Sequence, residues 1–352
     1  RYGAFPSFAF AWRLKEESFL ESVDAISDLK WRIGYGVVGN EGIPPYSSLG
    51  LLETTEAYFG ENEIAKGSGQ ATRQNNALRW ETTSQFDTGI DIGLFNGRVT
   101  VVADIYYKRT TDLLLNAPVP YTSGFDYSFF NVGSLESKGM ELAVNTVNTV
   151  GDLKWNSAVN ISFNRNKVLD LSSDQGIPAD PMLGINGWTA INAGVAMGTF
   201  YGYKTDGIIQ LNEDPSAVAR FVDYVPTYGD RKYVDKDGDG DLDENDKFVL
   251  GNANPDFSFG ITNSVSFKKL SLSVFIQGVY GNEIVNFNKF ALESFDGNQN
   301  NSTAALNRWT PENPTNEYPR ANVSPRVNTI SNHHVEDGSY LRVKDITLAY
   351  DL

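Results

Sequence analysis

The sequence contains no cysteine and only two histidines among its 352 residues. The absence of cysteine excludes disulfide bonds, thiolate nucleophiles and zinc–thiolate sites. The two histidines, His333 and His334, are adjacent, whereas a catalytic or metal-binding pair on one helix face is spaced by about four residues. We therefore expect both to lie in a surface loop, and we expect no enzymatic activity.

Positive charge and long apolar runs are also scarce. Lys and Arg number 29 against 44 Asp and Glu, which gives a net charge of -15 and argues against a nucleic-acid partner. No run of about 18 apolar residues occurs, so a transmembrane helix is excluded. A transmembrane β-barrel is compatible with the mean hydropathy of -0.32, because strict alternation hides its apolar residues from an averaged score.

The alternation of apolar and polar residues is strongest between Gln85 and Lys108. Phe86, Ile90 and Leu94 fall on one side of the first arm, while Asp87 and Asp91 fall on the other. Asn96-Gly97 then forms a strong hairpin signal, because both residues accept positive φ. Each arm holds about ten residues, the length that a tilted strand needs to cross a bilayer. This stretch predicts a hairpin of a membrane barrel.

The same pattern recurs along the whole chain and predicts roughly nine membrane strands. The predicted strands are 5–14, 29–38, 79–95, 98–109, 135–147, 153–165, 256–267, 270–281 and 340–352. Short turns alternate with long loops along the chain. The long loops are 39–79, 110–134, about 167–255 and 281–339. Outer-membrane barrels have short periplasmic turns and long extracellular loops, so this parity favours a barrel over a soluble β-sandwich. Polar residues on the inner side of the predicted wall are Asp87, Asp91, Asp104, Asn156 and Asn160.

The excursion at 167–255 is expected to be extracellular and to contain short strands of its own. Its segment 235–246 has the spacing of a calcium-binding loop, with glycine at position six and an apolar residue at position eight. The candidate metal ligands are Asp235, Asp237, Asp239, Asp241, Asp243 and Asp246. Asp246 stands at position twelve, where a longer Glu is usual. We expect this segment to bind calcium in a structural, non-catalytic role. The alternative is an acidic turn that is solvated and binds no metal.

Aromatic side chains in the loops are candidates for contacts with a substrate or a partner. They are Phe125, Tyr127, Phe129, Phe130, Trp188 and Trp309. Such rings stack on sugars or grip peptides, but they also pack loops together. Packing is the simpler interpretation for each residue taken singly.

Several stretches, in order, resemble a known family. They are Arg1-Tyr2-Gly3-Ala4-Phe5-Pro6-Ser7, Leu29-Lys30-Trp31-Arg32, Trp80-Glu81-Thr82-Thr83, Asp104-Ile105-Tyr106-Tyr107-Lys108, Asn131-Val132-Gly133-Ser134, Phe200-Tyr201-Gly202-Tyr203, the segment 235–246, Trp309-Thr310-Pro311-Glu312-Asn313-Pro314 and Ser339-Tyr340-Leu341-Arg342-Val343-Lys344-Asp345. Together they are similar to the C-terminal barrel portion of SusC/RagA-like TonB-dependent outer-membrane transporters of Bacteroidetes.

The resemblance implies an all-β fold, part of a transmembrane antiparallel barrel of roughly 22 strands. It further implies an N-terminal plug, a TonB box that contacts the TonB complex, and last barrel strands, all outside this sequence. It implies a location in outer-membrane lipid and active import of an oligosaccharide or oligopeptide nutrient. The partner it implies is a SusD-like surface lipoprotein, seated on the long loops.

Two alternatives remain open from the sequence. One is a passive, porin-like barrel without a plug. The other is a soluble, calcium-stabilised β-rich glycan-binding protein or glycosidase, whose acid–base carboxylates only their separation in the fold would identify. The outward face of the strands separates these alternatives, because it meets lipid in a barrel and water in a soluble protein.

Overall fold

The computed structural model describes residues 3–58, 64–171, 176–178, 187–295, 297, 300–322 and 329–352. The predicted loops 39–79, 167–255 and 281–339 each include residues outside these ranges. Among the described residues, no helix has both the length and the apolar character required to cross a membrane.

The described residues form strands along nearly the whole chain. In chain order they are β1 (Ser7–Arg13), β2 (Ile26–Asn40), β3 (Leu52–Tyr58), β4 (Ile64–Gln70), β5 (Glu81–Leu94), β6 (Val99–Thr111), β7 (Leu114–Pro118), β8 (Tyr127–Asn131), β9 (Ser134–Thr149), β10 (Leu153–Asp170), β11 (Ile177–Pro178), β12 (Ala190–Ile191), β13 (Thr199–Gly202), β14 (Thr205–Ile208), β15 (Arg231–Tyr233), β16 (Phe248–Asn252), β17 (Phe257–Phe267), β18 (Leu270–Tyr280), β19 (Glu283–Val285), β20 (Val335–Asp337) and β21 (Tyr340–Tyr350). Two short α-helices are α1 (Ser18–Glu21) and α2 (Phe287–Leu292).

One 9-stranded antiparallel sheet organises the structure, in the order β1-β2-β5-β6-β9-β10-β17-β18-β21. Each of its strands overlaps one of the predicted ranges. The clearest differences are at β2, which begins at Ile26, and β10, which continues to Asp170. Because each strand pairs with its sequence neighbour in the sheet, the sheet is a meander, and the connections alternate between its two ends.

The two ends of the sheet differ in the size of their connections. At the turn end, β5 joins β6 through Phe95, Asn96 and Gly97, which all have positive φ, and β17 joins β18 through Lys268 and Lys269. The opposite end, called the loop end here, carries the connections β2–β5, β6–β9, β10–β17 and β18–β21.

The long connections contain more regular structure than the sequence analysis predicts. Within 39–79, β3 pairs with β4, and within 110–134, β7 pairs with β8. The prediction that these stretches are plain loops is therefore wrong. Their strands are short, and each pair is a two-stranded sheet, so neither produces the long alternation on which the prediction depended. In the β10–β17 connection, β13 pairs with β16 and β14 with β15.

The two faces of the large sheet have opposite chemistry. The apolar face exposes Phe8, Tyr35, Phe86, Ile105 and Met140, each more than 40% accessible. Fully buried apolar residues concentrate instead at the loop end, where Ile208, Ile209, Phe295 and Ile330 are at most 2% accessible. The hydrophobic core therefore belongs to the loops, whereas the sheet leaves its apolar face uncovered.

Candidate functional site

The polar face of the sheet carries an ion-pair network across three strands. Arg32 on β2 donates from Nη2 to Asp91 Oδ1 on β5 at 2.8 Å and to Asp104 Oδ1 on β6 at 2.9 Å. Lys30 adds a longer pair to Asp91 at 3.8 Å. The predicted inner-face residues Asp91 and Asp104 are thus brought together by a cation that the sequence analysis did not single out.

Glycine at position 89 makes this network possible. The register aligns Arg32 with Gly89 and Gly89 with Asp104, so one row of the sheet contains all three residues. A Cβ at Gly89 would lie 2.8 Å from Arg32 Nη2 and would also collide with Asp104. Because glycine has no side chain, the guanidinium passes over β5 and reaches the next strand.

Further along the sheet, the polar face is almost free of formal charge. The polar-face positions of β10, β17 and β18 include Asn156, Asn160, Ser162, Asn164, Ser258, Thr262, Ser264, Ser271, Ser273 and Gln277. Hydroxyl groups of neighbouring strands are hydrogen-bonded to one another, as in Ser264···Ser273 at 3.1 Å and Ser266···Ser271 at 2.9 Å. This part of the wall offers hydrogen bonds without ion pairs.

At the loop end, the acidic loop 235–246 is fixed to an aromatic cluster. Tyr203 donates from its hydroxyl to the Asp243 carbonyl at 2.9 Å, and its ring contacts Phe221 and Tyr233 edge-on. Leu242, the apolar residue at position eight, is 4% accessible. Burial and the neighbouring carboxylate of Glu244 raise the pKa of Tyr203, so its hydroxyl stays protonated.

Three of the predicted calcium ligands converge in the acidic loop. Carboxylate oxygens of Asp235, Asp237 and Asp239 lie within 4.8 Å of one another. Backbone amides of Gly240 and Gly238 donate to Asp235 and lower its pKa. Desolvation and the adjacent Asp239 raise the pKa of Asp237. A divalent cation would relieve this repulsion, and oxygen ligands are those that calcium prefers.

The remaining candidate ligands are engaged within the protein. Asp246 is 1% accessible and accepts from the amides of Lys236 at 2.7 Å and Asp243 at 2.8 Å. Asp243 accepts from the Asn245 amide at 2.7 Å. A carboxylate oxygen keeps a second lone pair when it accepts one hydrogen bond. The donor set therefore fits calcium, with Asp235, Asp237 and Asp239 nearest to one another. Asp241 is exposed, and its backbone bridges to Arg220.

His333 and His334 lie in a loop, as expected, but they are partly buried and not exposed on its surface. His333 Nε2 lies 3.2 Å from Glu293 Oε2, and its side chain is 12% accessible. His334 packs edge-on against Phe290, and its Nδ1 accepts from the Ser331 amide at 3.1 Å. Burial, with nearby Arg231 and Lys289, lowers the pKa of both histidines to about 3. No periodic apolar pattern surrounds the two residues in the sequence, so their packing could not be predicted from it.

The two candidate tryptophans pack within the loops. Trp309 is 5% accessible and donates from Nε1 to Gln210 Oε1 at 3.0 Å. Trp188 stacks on Phe200 at 6.1 Å and meets Phe287 edge-on at 5.1 Å. In the described residues, the packing interpretation accounts for both rings.

The other four candidate aromatics belong to the β7–β8 hairpin, with Phe125 in its loop and the other three on β8. Tyr127 is 52% accessible, whereas Phe125, Phe129 and Phe130 are half-buried. Arg73, from the neighbouring segment 71–80, lies 5.6 Å above the ring of Phe130. Arg73 lies in the predicted loop 39–79, and Arg79 lies where that loop meets the predicted strand 79–95. Neither belongs to a motif; their spacing without an intervening acid is the one signal in the sequence.

Comparisons with known proteins agree with this architecture. The profile of the family described as "TonB dependent receptor-like, beta-barrel" matches residues 2–352. The chain belongs to this TonB-dependent receptor β-barrel family. The predicted all-β barrel fold and the resemblance to SusC/RagA-like members are thereby confirmed.

Individual relatives are found over the full chain. It is 38% identical over 357 residues to TonB-dependent receptor P26 of Formosa agariphila, covering 100% of this chain and 36% of that protein. It is 29% identical to TonB-dependent receptor SusC of Bacteroides thetaiotaomicron, covering 99% of this chain and 34% of that protein. The chain therefore spans about a third of the length of these relatives.

Solved structures also match this chain over nearly its whole length. The structure of the RagAB peptide transporter superposes with a TM-score of 0.78 at 26% identity, covering 98% of this chain and 37% of that chain. A second, the RagAB peptide importer in the "open-open" state, gives a TM-score of 0.76 at 25% identity. In this family the polar face of the sheet is the inner wall of the barrel, and the apolar face is its outer wall.

Proposed function

We propose that this chain is the wall and loop region of an outer-membrane transporter that imports an oligomeric nutrient by TonB-linked active transport. The observation that carries the proposal is the two-faced sheet, whose apolar side is exposed while its polar side holds hydrogen-bonding and charged groups. Such a sheet is stable when lipid covers one side and a hydrated lumen the other. The loop end then faces outward from the cell.

The nutrient we propose is an oligopeptide, with an oligosaccharide as the alternative class. Support for a peptide comes from the RagAB neighbours, which are named peptide transporter and peptide importer. The inner wall supplies amide and hydroxyl groups along β10, β17 and β18, which hydrogen-bond to peptide backbone and to sugar hydroxyls alike. The partner is a SusD-like surface lipoprotein seated on the loop end, and energy comes through a plug and the TonB complex.

We also propose that calcium occupies the acidic loop and has a structural role. The loop is joined to the aromatic core of the β10–β17 connection through Tyr203 and Leu242. Neutralising the carboxylates of Asp235, Asp237 and Asp239 would stiffen that connection, because their mutual repulsion opposes the compact loop. No catalytic step is assigned to this site.

The test is uptake by cells that carry the full-length protein, combined with affinity purification from native outer membranes in mild detergent. We expect labelled oligopeptide to enter only when TonB is present, and a lipoprotein to co-purify in near-equal amount. Uptake that is unchanged without TonB would support the passive, porin-like alternative. Recovery of the protein in the soluble fraction would overturn the barrel proposal, and uptake of an oligosaccharide alone would overturn the peptide class.

A further inference from the structure

A polar cavity lies between the segment 71–80 and the β7–β8 hairpin at the loop end. It encloses a volume of about 340 Å³ and is lined by Arg73, Asn75, Arg79, Phe130, Asn131 and Val132. No carboxylate is among the described residues that line it. In a chain with a net charge of -15, a cavity with two guanidinium groups and no acid is unusual.

Two asparagines hold the segment against the hairpin. Asn75 Nδ2 donates to the Phe129 carbonyl at 2.9 Å. Asn131 accepts from the Arg79 amide and donates to the Arg79 carbonyl, each at 2.8 Å. Leu78, between them, is 4% accessible. The backbone that carries both arginines is therefore held in place before any ligand arrives, which lowers the entropic cost of binding.

The two guanidinium groups retain free hydrogen-bonding capacity. Arg73 rests on the ring of Phe130 and forms no ion pair with a carboxylate in the described part of the chain. Arg79 Nε lies 3.7 Å from Asp112 Oδ1, and the Arg79 side chain is 70% accessible. A pair this long and this exposed is weak. Both guanidinium groups can therefore donate hydrogen bonds to a new anionic partner.

We propose that Arg73 and Arg79 form a subsite for the carboxylate of an acidic side chain of an imported oligopeptide. Guanidinium groups bind carboxylates through paired, charge-assisted hydrogen bonds. Phe130 and Val132 give an apolar surface for the methylene groups next to the carboxylate. The subsite makes the transporter prefer acidic peptides, and it rests on the proposed import of oligopeptides.

Binding of two matched peptides to the full-length transporter tests the subsite. One fluorescent heptapeptide contains three glutamates, and the other has glutamine at the same positions; both end in a C-terminal amide, so only the glutamate side chains differ in charge. We expect the wild type to bind the glutamate peptide about tenfold more tightly. Arg73→Ala with Arg79→Ala should remove that preference and leave binding of the glutamine peptide unchanged. Lys66→Ala is the matched control, because Lys66 is an exposed cation on β4, outside the cavity, and is paired with Glu56.

The possible results separate the subsite from the proposed import. A double variant that keeps the glutamate preference overturns the subsite. Arginine-dependent binding of oligogalacturonate, without binding of either peptide, overturns the peptide as ligand. A wild type that takes up glutamine peptide in a TonB-dependent manner but shows no glutamate preference leaves the import proposal intact and overturns only the subsite. Failure of the wild type to bind or import either peptide contradicts both.

Discussion

Arg32 and Asp104 form a 2.9 Å ion pair although a complete strand, β5, separates the strands on which they lie. The gap is bridged at Gly89, which is paired in register with both residues. A side chain at position 89 would occupy the space that the guanidinium uses. Three strands of the barrel wall are therefore tied together on the inner side by one cation.

Substitution of Gly89 tests this relationship. We expect Gly89→Ala to separate Arg32 from Asp104 and to lower the unfolding free energy by about 1–3 kcal/mol, because a methyl group is forced into a filled space. The measurement is the urea midpoint of tryptophan fluorescence for the full-length protein in lipid vesicles.

Gly36→Ala on the same face is the matched control. A Cβ at Gly36 would lie 3.8 Å from Ser7 Cβ, an ordinary van der Waals distance. Equal midpoints for Gly89→Ala and the wild type would show that the network does not depend on glycine.

Calcium binding to the acidic loop is tested by titration calorimetry. Asp235→Ala with Asp239→Ala should abolish stoichiometric binding, since both lie in the cluster of carboxylates within 4.8 Å. Asp241→Ala should bind as the wild type does, because position seven of such a loop ligates through its backbone carbonyl. Undiminished binding by the double variant would remove the calcium site from this loop.

The partly buried histidines His333 and His334 predict an acid-sensitive loop end. Their pKa is lowered from 6.5 to about 3, so the unfolded loops take up more protons than the folded ones within that interval. Stability from the neutral histidines is complete above pH 6.5 and falls as the pH drops. Glu293, whose pKa burial raises, has the opposite effect and offsets part of this loss.

We therefore expect the free energy of unfolding of the loop end to be lower at pH 5 than at pH 7.5, by a net amount on the order of 1 kcal/mol. Hydrogen exchange in 287–295 and 331–335, corrected for the intrinsic pH dependence, should be faster at pH 5 than at pH 7.5. His334→Gln should reduce the difference, because glutamine does not titrate. Equal protection at both pH values in the wild type would contradict the buried, neutral state of the histidines.

How far the sequence determines the structure differs between the sheet and the loops. The alternation of Phe86, Ile90 and Leu94 with Asp87 and Asp91 is a local pattern, and a strand with one lipid-facing side repeats it over its whole length. The positions of the sheet strands were therefore accessible from the sequence. The loop hairpins were not, because β7 and β8 have only five residues each, too few for a periodic signal.

The residues of the candidate site likewise include some that a local sequence pattern identifies and some that only tertiary contacts bring together. The acidic loop follows a contiguous spacing, so its candidate ligands could be listed from the sequence. The pairing of Arg32 with Asp104 depends on register between strands that are far apart in the chain. The cavity at Arg73 depends on two bonds across the loops, from Asn75 to Phe129 and from Asn131 to Arg79. The burial of His333 and His334 likewise arises from tertiary contacts with Glu293 and Phe290.

The central claim is that the two faces of the sheet meet lipid and a hydrated lumen, and one pair of substitutions on β10 tests it most directly. Val159 lies on the apolar face, and its neighbour Asn160 lies on the polar face. In the full-length protein in lipid vesicles, Val159→Arg should lower the unfolding free energy by about 2–4 kcal/mol, because arginine near the bilayer centre is costly. Asn160→Arg should change it by less than about 1 kcal/mol. Equal, small effects at both positions would show that water meets both faces and would contradict the barrel account.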